Sequence, residues 1–166
     1  LFRSDLRTYL ADQLEVDYIM GAVTSVQHPY ERKWRSLPYS FIAQIDGEGM
    51  ELHLRDRAAM AIPAGSLVVV PEFVEHQVVT VAESDAGLRE YWAMMRFRIL
   101  GTIDLLSLFD FPAVLQTCSL KNAYQLIEQL SQLSEASDPF IQKLKQQGLA
   151  HDLLAKILGA NAGSDM

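Results

Sequence analysis

The apolar residues of this 166-residue chain change their period at about Ile99, and that change constrains the fold more than any other feature. Over residues 17–98 they fall in short blocks bounded by Gly, Pro and Asp, which predict strands at 17–27, 39–45, 50–54, 58–62, 66–70, 75–81 and 89–98. Polar breaks at 46–49 ("DGEG"), 55–57 ("RDR") and 83–87 ("ESDAG") read as tight turns, with glycines supplying positive φ. A parallel sheet would need helical crossovers between such blocks, and there are none. The expectation is a mainly β domain, a jelly roll or related closed β-barrel.

After Ile99 the period becomes helical. Ala123, Leu126, Ile127, Leu130 and Leu133 lie on one face of a helix expected over 120–133. A second helix starts with Asp138 as N-cap and Pro139 in the first turn, and carries Ile141, Leu144, Leu153, Leu154, Ile157 and Leu158. Gly148 is a place where it kinks or divides. Between the halves, "GTIDLLSLFDFPAVL" reads as one short helix ending before Pro112, followed by a connector. The organisation expected is a β-barrel with a short N-terminal segment over 1–100, a helical dimerisation or linker region over 101–160, and a disordered tail over 161–166. The apolar helical faces have two readings, a cover for the barrel or the contact surface of a homodimer.

The totals narrow the function classes. With 21 acidic against 14 basic residues the net charge is -7, which argues against this segment gripping a nucleic-acid backbone by itself. The single cysteine, Cys118, excludes an internal disulfide framework and points to a reducing, cytoplasmic compartment. No apolar run is long enough for a signal peptide or a membrane span, and a chain that opens on Leu1 reads as a piece of a longer protein.

Residues 65–76, "GSLVVVPEFVEH", space Gly65, Pro71 and His76 in a way that is similar to the second motif of the cupin superfamily. Phe73 stands where cupins usually have glycine, and Thr80 where they often have asparagine. The wider run "WRSLPYSFIAQIDGEG", then "IPAGSLVVVPEFVEHQV", then "YWAMMRFRILG" and two helices resembles the N-terminal effector-binding and dimerisation domain of AraC-type transcription regulators. The resemblance extends over about 21–158. It implies a cupin-like barrel followed by a helical pair, a small-molecule effector as partner, a homodimer formed through the C-terminal helices, and DNA contacted only through a helix-turn-helix domain that this sequence does not contain.

A metal site in an enzymatic cupin needs three or four N/O ligands, commonly a His-x-His pair with a carboxylate and a further histidine. His28, His53, His76 and His151 are widely spaced, and the stretch after Trp34 supplies no His-x-His. No metal and no other cofactor is therefore expected. His76 has two readings: a strand-end histidine donating one ring N–H to a backbone carbonyl, or an effector contact at the mouth of the barrel. No nucleophile motif or phosphate loop is present, so no catalytic residue is assigned.

A barrel closed at one end by helices holds a ligand among inward-facing residues of alternating strands. Along "EYWAMMRFR", Tyr91, Ala93, Met95 and Phe97 share one face, and Trp92, Met94 and Arg96 the other. The resemblance puts the Trp92 and Met94 face toward the effector, and places Val78 where sugar-binding members often carry an aromatic, which argues against a sugar. Arg32 and Arg35 are the candidate cations, because a guanidinium fork suits a carboxylate or vicinal hydroxyls; the alternative is that both are solvated loop residues. Trp34 and Trp92 read as core aromatics, the alternative being that one of the two lines the pocket. The candidate binding set is Arg32, Arg35, Tyr39, His76, Val78, Trp92 and Met94. Two rival readings remain at this point, a metal-dependent cupin isomerase or dioxygenase and an oligomerisation module with a filled barrel.

Overall fold

The chain folds as two facing antiparallel sheets with two helices on the outside of the larger one, the mainly β architecture and C-terminal helical pair expected from the sequence. The computed structural model describes residues 8–82, 87–109, 112–116, 120–133 and 138–162. Its strands are β1 (Leu14–Val26), β2 (Ser40–Asp46), β3 (Met50–Leu54), β4 (Met60–Ile62), β5 (Leu67–Val70), β6 (His76–Thr80), β7 (Leu88–Ile99), β8 (Ile103–Asp104) and β9 (Val114–Leu115). The larger sheet runs β1-β7-β2-β5-β9 with β8 on β7, and the smaller runs β4-β3-β6.

The smaller sheet is widened at its β6 edge by an irregular segment. Bridges join Glu31 to Val79 and Arg35 to His76, and the Thr80 N–H donates to the Tyr30 carbonyl at 2.8 Å. Pro29 and Pro38 bracket this stretch, and neither can donate to a ladder. The backbone therefore pairs only intermittently, yet it carries Arg32 and Arg35 across the opening between the sheets.

The larger sheet is covered on both faces, so two of its middle strands are buried along their length: every residue of β5 is buried, and so is 40–45 of β2. Phe41, Ala43, Val68 and Val70 face the smaller sheet's Leu52 and Val78. Ile42, Val69, Met95 and Phe97 face the helices α1 (Ala123–Gln132) and α2 (Pro139–Ala162), meeting Ile127, Leu130, Leu153 and Ile157. Polar Gln44 interrupts this outer layer. Gln44 donates from Nε2 to the carbonyls of Gly65 (2.6 Å) and Leu120 (3.2 Å), and its Oε1 accepts the Tyr124 N–H at 2.6 Å, which fastens the start of α1 to β2.

Several expectations are corrected. β1 begins at Leu14 rather than 17, and the strand placed over 58–62 is only Met60–Ile62. The short helix placed before Pro112 is instead strand β8 and one 3-10 turn at Leu106–Leu108, and the connector after it carries β9, which pairs with β5. A three-residue loop with positive φ at Leu100 and Gly101 turns β7 back onto β8, and Leu105, Leu106 and Leu115 are drawn into the core. Gly148 does not divide α2, which is continuous through Ala162, so part of the stretch read as tail is helical. Asp138 caps that helix as expected, its Oδ1 accepting the Phe140 N–H at 2.8 Å. The turns at 46–49 and 55–57 form as expected, with positive φ at Gly47, Gly49 and also Asp56. Residues 83–86 of the third turn and Cys118 lie outside the described residues.

The helical apolar faces are largely cover. Ala123, Ile127, Leu130, Leu153, Leu154 and Ile157 are buried against the sheet, whereas Phe140, Ile141 and Leu144 at the start of α2 remain exposed.

Candidate functional site

Side-chain alternation along β7 sends Tyr91, Ala93, Met95 and Phe97 to the helices and Leu88 and Trp92 to the space between the sheets. Glu90 falls on the Trp92 face, and its side chain is only 1% exposed. A carboxylate that deeply buried needs a partner. Arg32 supplies it from the segment across the opening, with Nη2 2.8 Å from Glu90 Oε2 and Nε donating to the Tyr30 hydroxyl at 2.6 Å.

Arg35 enters the same space one short step along the segment. Its Nε donates to His76 Nε2 at 3.2 Å, and its guanidinium carbon stands 4.8 Å from the Phe41 ring centroid. The Arg32 guanidinium carbon stands 5.6 Å from that centroid, and the His76 ring stacks on Phe41 at 5.5 Å with an interplanar angle of 18°. Phe41 is thus the common floor beneath both guanidiniums and the imidazole.

The hydrogen bonds settle which nitrogen of His76 carries the proton. Nε2 must accept from Arg35, so Nδ1 bears the hydrogen and donates to the Val74 carbonyl at 2.9 Å. The pKa of His76 is lowered to about 4, first by burial and then by the nearby Arg35 and Arg32 charges, against the Val74 bond that raises it. Arg35 is lowered to about 10 by burial and by Arg32, while Glu90 and Tyr30 pull it up. Burial pushes the Glu90 carboxyl above the usual range, and both arginines oppose that push.

Two buried polar atoms of this cluster have no hydrogen-bond partner among the described residues: Arg35 Nη2, a donor, and Glu90 Oε1, an acceptor. They belong to side chains already held in place, Arg35 by His76 and Glu90 by Arg32. The cluster thus holds one unpaired cationic donor and one unpaired anionic acceptor, both closed off from solvent.

Of the residues singled out from the sequence, Arg32, Arg35 and His76 meet directly. Val78 is buried on the same inner layer, and its carbonyl accepts the Arg32 N–H at 3.0 Å. Trp92 is half-buried against that layer and donates from Nε1 to Thr24 Oγ1 at 2.9 Å. Met94 pairs with Phe41 across β7 and β2. Tyr39 stands apart, its ring under the Arg96 guanidinium at 4.7 Å.

Other expectations change. His76 is fully buried and donates one ring N–H to a backbone carbonyl, as its strand-end reading has it, while its other ring nitrogen accepts from Arg35 and positions that side chain. The solvated-loop reading of Arg32 and Arg35 fails on the same contacts. Trp34 is not core: it is 37% exposed, with Arg55 stacked over its ring at 4.4 Å. Glu90 was the residue the sequence reading missed. Its signal was alternation, since it stands two places before Trp92, but its partner Arg32 is 58 residues away.

The donor set does not fit a metal. A ligating imidazole needs a free lone pair, and that of His76 Nε2 points at a guanidinium cation. His28 lies against Thr80, His53 against Glu51 and His151 against the Gln147 carbonyl. Among the described residues no group of three or more His, Cys, Asp or Glu side chains is arranged to hold a metal ion.

Cavities open elsewhere as well. One of about 300 Å³ is lined by Gln44, Asp46, Tyr91, Lys121 and Tyr124, and one of about 530 Å³ lies between α1 and α2 at Gln129, Leu133, Lys145, Leu149 and Asp152. A third, about 360 Å³, is bordered by Arg55, Arg57, Glu72, Glu75 and Leu106. None of these three is lined by Arg32, Arg35, His76 or Trp92. No helix is long and apolar enough to cross a membrane among the described residues.

No protein-family model and no curated protein matches the chain. Solved structures that resemble it include a cupin-2 domain containing protein from Shewanella frigidimarina NCIMB 400, at 16% identity and a TM-score of 0.35 over 52% of this chain and 72% of that one. They also include the AraC-family regulator ToxT from Vibrio cholerae, at 12% identity and a TM-score of 0.39 over 87% of this chain. ToxT from Vibrio cholerae O395 bound to (E)-4-(8-methylnaphthalen-1-yl)but-3-enoic acid resembles it at 10% identity and a TM-score of 0.37, again over 87% of this chain. In both ToxT comparisons the match spans 57% of that chain's length.

Proposed function

We propose that the chain is the effector-sensing and dimerising domain of an AraC-type transcription regulator, and that a small organic molecule binds between the sheets at Arg35 and Glu90. The observation that carries this reading is the pair of open polar atoms, Arg35 Nη2 and Glu90 Oε1, on side chains otherwise locked in place. DNA would be contacted by a helix-turn-helix domain outside this sequence, in the cytoplasm, with two copies joined through the helices.

The reading assigns no catalytic step. His76 has both ring nitrogens engaged within the protein, which leaves it no free lone pair for a substrate. A short route leads from the site to the helices: Phe41 lies under Arg35, and Gln44, three residues on in β2, holds the start of α1. Binding that shifts β2 would bias how α1 and α2 are presented to a second copy.

Melting curves against a panel of small metabolites test this. At least one compound is expected to raise the melting temperature of the protein and leave that of Arg35→Met unchanged. Indifference of both proteins to the whole panel would remove the effector and favour an oligomerisation module. Stoichiometric bound metal that disappears in His76→Ala would instead establish the metal-dependent cupin.

A further inference from the structure

The charges and the open atoms of this cluster restrict what can occupy it. Arg32 and Arg35 bring two positive charges and Glu90 one negative; His76, whose Nε2 accepts from Arg35, brings none. The cluster therefore carries one uncompensated positive charge beside one open donor, Arg35 Nη2, and one open acceptor, Glu90 Oε1. A guest that satisfies all three conditions has one negative charge, an acceptor for Arg35 and a donor for Glu90.

We infer that the site takes a small hydroxy acid, its carboxylate on Arg35 Nη2 and its hydroxyl donating to Glu90 Oε1. This rests on the effector-binding reading above and names its ligand class. A neutral sugar or diol would leave the buried positive charge uncompensated. A simple carboxylic acid would leave Glu90 Oε1 unpaired, a loss of about 1–3 kcal/mol or roughly tenfold or more in affinity. A dicarboxylate would bring a second anion against Glu90, which cannot donate to it. An amino acid would satisfy both atoms, but its ammonium would lie beside the Arg32 guanidinium that Glu90 already neutralises. The apolar residues nearest for the body of the acid are the buried Phe41 and Val78 and the half-buried Trp92, with Met94 in register beside Phe41.

Calorimetric titration with matched compounds tests the inference on the intact chain. The aromatic set is mandelate, phenylacetate, phenylglycine and 1-phenylethane-1,2-diol; the aliphatic set is lactate, propionate, alanine and propane-1,2-diol. In at least one set the hydroxy acid is expected to bind about tenfold or more tightly than its three counterparts. Arg35→Met should abolish binding of both acids. Glu90→Gln should narrow the preference for the hydroxyl severalfold while tightening the deoxy acid, because an anion has been removed from beside the carboxylate. This opposite movement distinguishes loss of a specific contact from general damage to the fold.

Equal binding of hydroxy and deoxy acid, or tighter binding of the diol or the amino acid, would overturn the hydroxy-acid assignment and leave the effector reading standing. No binding in either set would also overturn it; if the wider metabolite panel were silent too, the effector reading would fall with it.

Discussion

Arg35 and His76 share one hydrogen bond and two backbone bonds: the side chains meet at 3.2 Å, and the two residues exchange N–H and carbonyl at 3.0 and 2.9 Å. The backbone bridge fixes where the side chains start and the imidazole lone pair fixes where the guanidinium ends. A histidine that resembles a metal ligand in the sequence is, in the fold, the support of an arginine.

That support makes stability depend on pH in one direction. His76 has a pKa of about 4 in the folded chain and about 6.5 when unfolded. Above pH 6.5 it is neutral in both states and contributes no pH dependence. As pH falls from about 6.5 toward 4 the unfolded chain takes a proton that the folded chain refuses, so stability is lost across that window and the loss levels off below it. The full effect is about 3 kcal/mol. Urea unfolding at pH 7.5 and pH 4.5 should show the native protein losing about 2–3 kcal/mol more than His76→Gln over the same interval.

The Arg32 and Glu90 pair should be strongly coupled. Arg32→Met leaves a carboxylate with a 1% exposed side chain without its cation, and a loss of about 3–5 kcal/mol is expected. Adding Glu90→Gln removes the stranded charge, so the double variant should be more stable than Arg32→Met alone. A double-mutant cycle by chemical denaturation measures the difference.

Phe73 has φ of 62° and is 66% exposed, so it bears left-handed strain without a packing return. The cupin-like motif usually has glycine here, and the backbone explains why. Phe73→Gly relieves about 1–2 kcal/mol of strain and restores about 0.5–1 kcal/mol of unfolded-chain entropy. A net gain of up to about 1 kcal/mol, read as a rise of roughly 2–4 °C in melting temperature, is expected.

The dimer proposal now has a defined surface. Phe140, Ile141 and Leu144 are the apolar residues that α2 leaves uncovered near its start. Light scattering at tens of micromolar should give twice the 18.6 kDa chain mass. Leu144→Glu should give a monomer with unchanged helical circular dichroism. A monomeric native protein would remove the dimer.

Legibility from sequence followed the range of the signal. The valine block at 67–70 read as a buried strand because both its faces are covered, and Asp138-Pro139 marked a helix start through purely local chemistry. β8 and β9 are two residues each, too short to show any period. Arg32 and Arg35 were legible as cations near the opening. Their partners were less so, because the pairing of Arg32 with Glu90 joins an irregular segment to a strand of the larger sheet 58 residues away. Trp34 misled because size alone suggests burial, whereas Arg55 offers it a stacking partner at the surface.

Nitrogen-15 chemical-shift mapping with the tightest compound from the metabolite panel tests the location of the effector site most directly. The expected result is perturbation centred on the Arg35 Nε signal, the His76 backbone amide and the Trp92 indole, with smaller shifts at Gln44 and Tyr124. Shifts confined to the α1–α2 groove around Lys145 and Leu149, with Arg35 and Trp92 silent, would contradict it.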